Sequence, residues 1–157
     1  MIEHIENLLN SRYGKQIFYQ VFGLCPVCNQ PKTSYHWCKI CNSIRFQNDF
    51  NKWTSGNEIV DKFIQNAQSK ARNRQEVIEW IPYEKLSDIQ YLDKGGFSTI
   101  FKAIWLVGGI EKWNNKIQQW ERYAFTRVVL KSLNNSSNVN KDFLNEVNDN
   151  ITIIFYT

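Results

Sequence analysis

The four cysteines of the chain fall into two Cys-x-x-Cys pairs, a spacing typical of a metal site. Cys25-Pro-Val-Cys28 is followed, after nine intervening residues, by Cys38-Lys-Ile-Cys41. Each tight turn can present two thiolates, and two such turns can converge on one tetrahedral ion. Because four sulfur ligands leave no open coordination position, the ion would stabilise the fold rather than catalyse. The sequence therefore predicts a structural zinc site at Cys25, Cys28, Cys38 and Cys41.

Two other uses of these cysteines remain open. The same four ligands can hold iron, and cysteines can also pair as disulfides. Disulfides are disfavoured in a reducing compartment. We expect the cytoplasm, because the N-terminus has neither the basic start nor the apolar run of a signal peptide, and no apolar stretch is long enough to cross a membrane. His36 is expected to be a surface or packing residue, since four thiolates already complete the site.

A second group of residues combines a glycine turn with a lysine. Gly95 and Gly96 separate Ile89 to Leu92 from Thr99 to Trp105, and these β-branched and aromatic runs predict two antiparallel strands. Val128 to Leu133 predicts a third strand that carries Lys131. A backbone without side chains lets amide groups approach phosphates closely, and an ammonium group neutralises phosphate charge.

A glutamate completes this group. Residues 142–147 have helical spacing behind a capping Asn140 or Asp142, and they include Glu146. A lysine on a strand and a glutamate on the next helix can face each other, so that the carboxylate holds the ammonium in place. The alternative is an ordinary surface ion pair.

The order and spacing of these parts resemble the N-terminal lobe of a protein kinase. Asp93-Lys-Gly-Gly-Phe-Ser98 is similar to the glycine-rich loop, Val-Val-Leu-Lys131 to the Val-Ala-Ile-Lys strand, and Glu146 to the glutamate of helix αC. Of the three glycines in the family's Gly-x-Gly-x-x-Gly pattern, only the middle one matches, at Gly95. Asp93 stands at the first position and adds a negative charge near the phosphates.

The resemblance extends over nearly the whole chain, up to about Val147. The cysteine pairs, the Trp-Thr-Ser-Gly-Asn-Glu segment at 53–58, the Glu-Trp-Ile-Pro-Tyr run at 79–83 and the glycine loop together resemble a large, lineage-expanded fungal family of tyrosine-kinase-like proteins. This resemblance implies ATP binding and phosphotransfer to Ser, Thr or Tyr. It also implies the residues that hold the nucleotide: Gly95, Gly96, Phe97 and Ser98 over the phosphates, Ile100 and Val129 at the adenine, Lys131 at the α and β phosphates, and Glu146 as the partner of Lys131.

Catalytic parts of a kinase are missing from the sequence. It contains no His-Arg-Asp motif, which carries the catalytic aspartate, no Asp-Phe-Gly motif, which carries a magnesium ligand, and no Ala-Pro-Glu motif. We expect little or no phosphotransfer by this chain alone. The alternative function is a non-catalytic module whose residues 1–75 bind zinc and recruit a protein partner. A nucleic-acid-binding zinc ribbon is a weaker alternative, because the formal net charge is only +4.

The elements that must position these residues indicate an α+β fold. A zinc-knuckle and helical module at 1–75 would precede an incomplete kinase N-lobe at 76–157, with an antiparallel sheet and helix αC. Hydrophobic residues make up 43% of the chain, which is enough for a core. Predicted elements are a short helix around residues 4–9, a strand over 15–23, two helices within 42–72 broken at 54–56, and a hairpin over 108–122. Residues 151–157 predict either a further strand or the end of a truncated reading frame, and we favour the latter.

Overall fold

The structure is a computed structural model that describes residues 11–95 and 98–133, without the side chains of residues 98, 132 and 133. In this part the chain forms three α-helices and two antiparallel sheets, so the predicted α+β class is confirmed. The helices are α1 (Arg12–Phe22), α2 (Lys39–Asp49) and α3 (Glu58–Lys70). The strands are β1 (Leu86–Lys94), β2 (Ser98–Trp105), β3 (Ile110–Asn114), β4 (Gln119–Arg122) and β5 (Thr126–Leu133). The predicted helices at 4–9 and 142–147 and the stretch 151–157 lie outside the described residues.

Helix α1 replaces the strand that the sequence predicts over 15–23. The Ser11 hydroxyl accepts a hydrogen bond from the Gly14 N–H at 3.2 Å, and Gly23 ends the helix with a positive φ of 71°. Gly14 is buried and Phe18 and Phe22 are half-buried, at the four-residue spacing of one helix face. The alternating pattern was misleading because almost every position from 17 to 22 is apolar, so it fits a helix as well as a strand.

Helices α2 and α3 confirm the two helical pieces predicted within residues 42–72. Helix α2 begins earlier than predicted, at Lys39, so that Cys41 lies in its first turn. The Asn57 side chain caps α3 by accepting from the N–H groups of Ile59 and Val60. Ile64, on the predicted apolar stripe, is fully buried.

The larger sheet has the strand order β1-β2-β5, with antiparallel pairing throughout. All three strands therefore match the prediction in place and direction. One face of this sheet is packed against a hydrophobic core. The buried members of the core are Ile81, Leu86, Ala103, Trp105, Val128 and Leu130.

The predicted hairpin forms between β2 and β5. Strands β3 and β4 pair as a two-stranded sheet, and the rings of Trp113 and Trp120 meet edge to face at 5.1 Å between centroids. The tryptophans thus join the two strands, as the sequence indicates. At the base of the hairpin, the Arg122 guanidinium donates to the Gly108 carbonyl at 2.6 Å and to the Glu79 carboxylate.

The described residues divide into two compact units. The first contains 11–53, 65–77 and 112–121, and the second contains 54–64, 78–95, 98–111 and 122–133. The cysteines thus share a unit with the hairpin tip, defined here as Lys112–Glu121. The division into domains at residues 75 and 76 stays a prediction.

Candidate metal centre and candidate nucleotide face

The sulfur atoms of Cys25, Cys28, Cys38 and Cys41 all lie within 4.8 Å of one another. Cys25 and Cys41 are 3.8 Å apart at their Sγ atoms, and Cys28 and Cys38 are 3.5 Å apart. In a tetrahedral site with metal–sulfur bonds of about 2.3 Å, neighbouring sulfurs lie about 3.8 Å apart, whereas a disulfide needs about 2.05 Å. The donor set and its spacing therefore fit one zinc ion, and all four cysteines are free thiols.

Backbone hydrogen bonds shape the turn that carries the first two ligands. The Cys25 N–H donates to the Gln30 carbonyl at 2.8 Å, and the Asn29 N–H donates back to the Cys25 carbonyl at 2.9 Å. Asn29 has a φ of 55°, a left-handed conformation that asparagine adopts more readily than most residues. This turn brings Cys25 and Cys28 to the same side.

The second pair of ligands lies at the start of α2. Cys38 is the residue before the helix, and its carbonyl accepts the first helical hydrogen bond, from the Asn42 N–H at 2.9 Å. An isolated bridge between Ser34 and Trp37 closes the turn that leads into the helix. His36 lies in this turn and is exposed, whereas the clustered sulfurs come from the four cysteines, in agreement with the prediction for His36.

Three thiols of the cluster differ in pKa because burial and hydrogen bonds act on each of them to a different extent. Burial acts to raise the pKa of Cys25, but the N–H groups of Cys28 and Val27 and the neighbouring thiols outweigh it and lower that pKa to about 7. Burial raises the pKa of Cys38 to about 11, with further contributions from Cys28 and Cys25. Burial also raises the pKa of Cys41. The cluster thus holds protons at neutral pH that a metal ion must displace.

The predicted nucleotide residues that the structure describes lie on one face of the larger sheet. Ile100 pairs with Lys131, and Lys102 pairs with Val129, in the antiparallel register of β2 and β5. Cross-strand partners and residues two apart share a face. Ile100, Val129 and Lys131 are therefore on the face opposite the core residues Ala103 and Leu130. We call this surface the open face.

Other predicted residues are described only in part. Gly95 is exposed just after β1, and Ser98 begins β2 without a described side chain. Gly96, Phe97 and Glu146 lie outside the described residues. Their roles stay predictions.

The open face also carries two cations that the sequence analysis did not single out. Lys102 and Arg127 are exposed and alternate with Val129 and Ile104 in the same register. The sequence could have indicated these two residues, because each is two or four positions from a predicted site residue on the same strand and therefore shares its face. The face therefore combines aliphatic side chains with positive charge.

Glu79 is a further residue to which the sequence did not assign a structural role. Its carboxylate accepts from the Ile110 N–H at 2.9 Å and pairs with Arg122. Burial raises the pKa of the Glu79 carboxyl, while the Arg122 charge and the Ile110 N–H oppose this shift. The pair joins the segment before β1 to the base of the hairpin.

Comparisons with protein families, with curated proteins and with solved structures returned no match to this chain. Within the part of the chain that the structure describes, no helix is both long and apolar enough to cross a membrane.

Proposed function

We propose that the chain is the nucleotide-holding part of a protein-kinase-family polypeptide, joined to a zinc-binding module. The observation that carries the proposal is the placement of Ile100, Val129 and Lys131 on one face of the β1-β2-β5 sheet. In the sequence, Gly95 and Gly96 stand between the first two of these strands, and Lys131 lies on the third. This is the arrangement that the resemblance to a kinase N-terminal lobe implies.

The chemistry of the open face suits ATP. Ile100 and Val129 offer aliphatic surface to the adenine ring, and the Lys131 ammonium supplies positive charge for the phosphates. Asp93 pairs with Ile100 in the sheet register, so its carboxylate would lie at the edge of the proposed nucleotide site. Because the sequence has no His-Arg-Asp and no Asp-Phe-Gly motif, the proposal for this chain is nucleotide binding and does not include phosphotransfer.

In the proposed zinc module, Cys25, Cys28, Cys38 and Cys41 hold the metal. A bound zinc ion would supply a tetrahedral cross-link between the turn at 25–30 and the start of α2. The role of this chain's own residues is to present four sulfurs and to release their protons when the metal binds. Cobalt substitution would report the four-sulfur geometry by its visible absorption, and a spectrum without thiolate-to-cobalt bands would argue against it.

Binding of Mg-ATP to the full, metal-loaded chain tests the nucleotide proposal. We expect measurable affinity by equilibrium dialysis and a loss of about tenfold or more for Lys131→Met, because a charge-assisted contact is removed. Lys85→Met is the matched control, since Lys85 lies in the turn before β1 and should leave affinity unchanged.

A second variant tests the same site because it should bind Mg-ATP more tightly than the wild type. Asp93→Asn removes a negative charge beside the phosphates and should strengthen Mg-ATP binding severalfold. No binding at millimolar nucleotide, or equal affinity for the wild type and Lys131→Met, would overturn the proposal.

The second candidate function is a non-catalytic zinc module that recruits a protein. The observation that favours it is an exposed apolar stripe on α1: Tyr13, Ile17 and Val21 are 81%, 59% and 53% exposed and lie four residues apart. A chain that binds zinc but shows no affinity for Mg-ATP would favour this function over the first.

A further inference from the structure

The strongest unassigned feature is an aromatic stack that joins the hairpin tip to the cysteine-bearing segment. The Trp120 ring lies 4.9 Å from the Phe46 ring, nearly parallel at 18°, and 5.8 Å from the Trp37 ring at 26°. Trp37 and Phe46 are themselves 6.3 Å apart between centroids. Trp120, which belongs to β4, therefore packs against the ring of Trp37, directly before Cys38, and the ring of Phe46, on α2.

A cationic contact reinforces this stack from the other strand of the hairpin. The Arg45 guanidinium lies 4.5 Å over the Trp113 ring. Arg45 also donates to the Asn42 side-chain oxygen at 2.6 Å and to the Asn115 side-chain oxygen at 3.4 Å. One α2 side chain thus contacts both the hairpin tip and the residue that follows Cys41.

The residues that contact the hairpin tip are neighbours of the metal ligands in the chain. Trp37 directly precedes Cys38, and Arg45 and Phe46 follow Cys41 on the same helix. Trp37 is only 1% exposed, and its indole N–H donates to the Ala71 carbonyl at 3.1 Å. The second pair of ligands is therefore carried by a segment that packs on the hairpin tip and on the end of α3.

We infer that the hairpin tip is a positioning element of the metal site, and that Trp120 and Arg45 raise metal affinity by fixing the segment that bears Cys38 and Cys41. This inference rests on the proposed zinc function. Contacts that hold two ligands in their bound arrangement reduce the ordering that metal binding must impose. The coupling is reciprocal, so bound metal also stabilises the packing of Trp120.

The inference gives the long connection between β2 and β5 a role. A hairpin of two or three residues would suffice to join adjacent antiparallel strands. The connection instead carries two tryptophans, and its tip belongs to the unit that holds the cysteines. Metal binding then stabilises the conformation of the hairpin tip.

Zinc affinity measured by competition with a chromophoric chelator tests this inference in the full chain. We expect Trp120→Ala to lower affinity by about 10- to 100-fold, since it removes three aromatic contacts. Trp120→Phe keeps a ring and should show an intermediate loss, and Arg45→Met should lose severalfold affinity without altering the stack. Ile117→Ala is the control, because Ile117 is 60% exposed in the same hairpin and should leave affinity unchanged.

The outcomes separate this inference from the zinc proposal. If the wild type holds no metal, the zinc proposal itself fails. If the wild type and Trp120→Phe hold zinc with equal affinity, and Arg45→Met does too, the zinc proposal stands and the inference is overturned. The inference is supported if zinc affinity falls in Trp120→Phe and falls further in Trp120→Ala, while Ile117→Ala keeps the affinity of the wild type. Trp120→Phe and Arg45→Met decide the result even if Trp120→Ala does not fold.

Discussion

Substitution of Gly108 by alanine is predicted to be among the most destabilising single changes in the second unit. Gly108 has a φ of 71°, which costs an L residue about 1–2 kcal/mol. An alanine Cβ would lie 1.6 Å from the Tyr123 carbonyl oxygen and 2.9 Å from the Thr126 hydroxyl. The first contact is with backbone, so the turn between β2 and β3 must move.

The size of the loss in the free energy of unfolding follows from these contacts and from one hydrogen bond. The Gly108 carbonyl accepts from Arg122 at 2.6 Å, and a displaced turn weakens that bond. Backbone strain and the clash together predict a loss of at least about 3 kcal/mol in the free energy of unfolding. Gly109→Ala is the matched control: its Cβ would lie 3.5 Å from the Trp105 ring in ordinary contact, and it should cost no more than about 1 kcal/mol.

Urea denaturation of the full chain, followed by circular dichroism, measures both variants. A third variant grades the effect, since Gly56 has a φ of 82° but open space around its Cβ, so that Gly56→Ala should cost about 1–2 kcal/mol. Gly108→Ala should therefore be the most destabilised variant, Gly56→Ala the next and Gly109→Ala the least. A Gly108→Ala variant within about 1 kcal/mol of wild type, or a Gly109→Ala variant that is less stable than Gly108→Ala, would contradict the prediction.

Two further predictions concern buried charge and protons. Glu79→Ala should cost about 2–4 kcal/mol in urea denaturation, because the Ile110 N–H and the Arg122 guanidinium lose their acceptor. The double variant Glu79→Leu/Arg122→Met should cost less than the sum of its single variants, and strict additivity would contradict the direct pairing. Because burial raises the pKa of Cys38 to about 11 and also raises that of Cys41, zinc binding above pH 7 must release at least these protons. The apparent association constant should therefore rise by at least about 100-fold per pH unit between about pH 7.5 and 9, and a pH-independent constant would refute this.

The sheet could be predicted from the sequence because its signals are local. β-branched and aromatic runs on either side of Gly95 and Gly96 indicated two strands and a turn, and Val128 to Leu133 indicated the third. The four-cysteine cluster was predictable for the same reason, since each pair fixes its own geometry within four residues.

The strand predicted over 15–23 was wrong because the residues there are apolar at both helical and strand spacing. What decided the outcome was the capping by Ser11 and Gly23 and the packing of Phe18 and Phe22 on one helix face. Each cap is a short-range contact within the chain, whereas the packing of Phe22 depends on a neighbour in three dimensions, Tyr35. A hydrophobic pattern alone does not contain them.

The packing of Trp120 on Trp37 and Phe46 could not be predicted either. The sequence showed that Trp113 and Trp120 can join a hairpin, and they do. It contained no signal that rings more than 70 positions apart in the chain would stack, because such contacts are set by the fold rather than by local spacing. The Glu79 and Arg122 pair was missed for the same reason.

Native mass spectrometry of the full chain, purified without chelators, tests the central claim that four thiolates bind one metal ion. We predict the mass of the chain plus one zinc ion, and the loss of that ion in Cys38→Ser. An added mass of one iron ion would keep the ligand set and change the metal. A metal-free mass, or a mass about 4 Da lower from two disulfides, would contradict the claim.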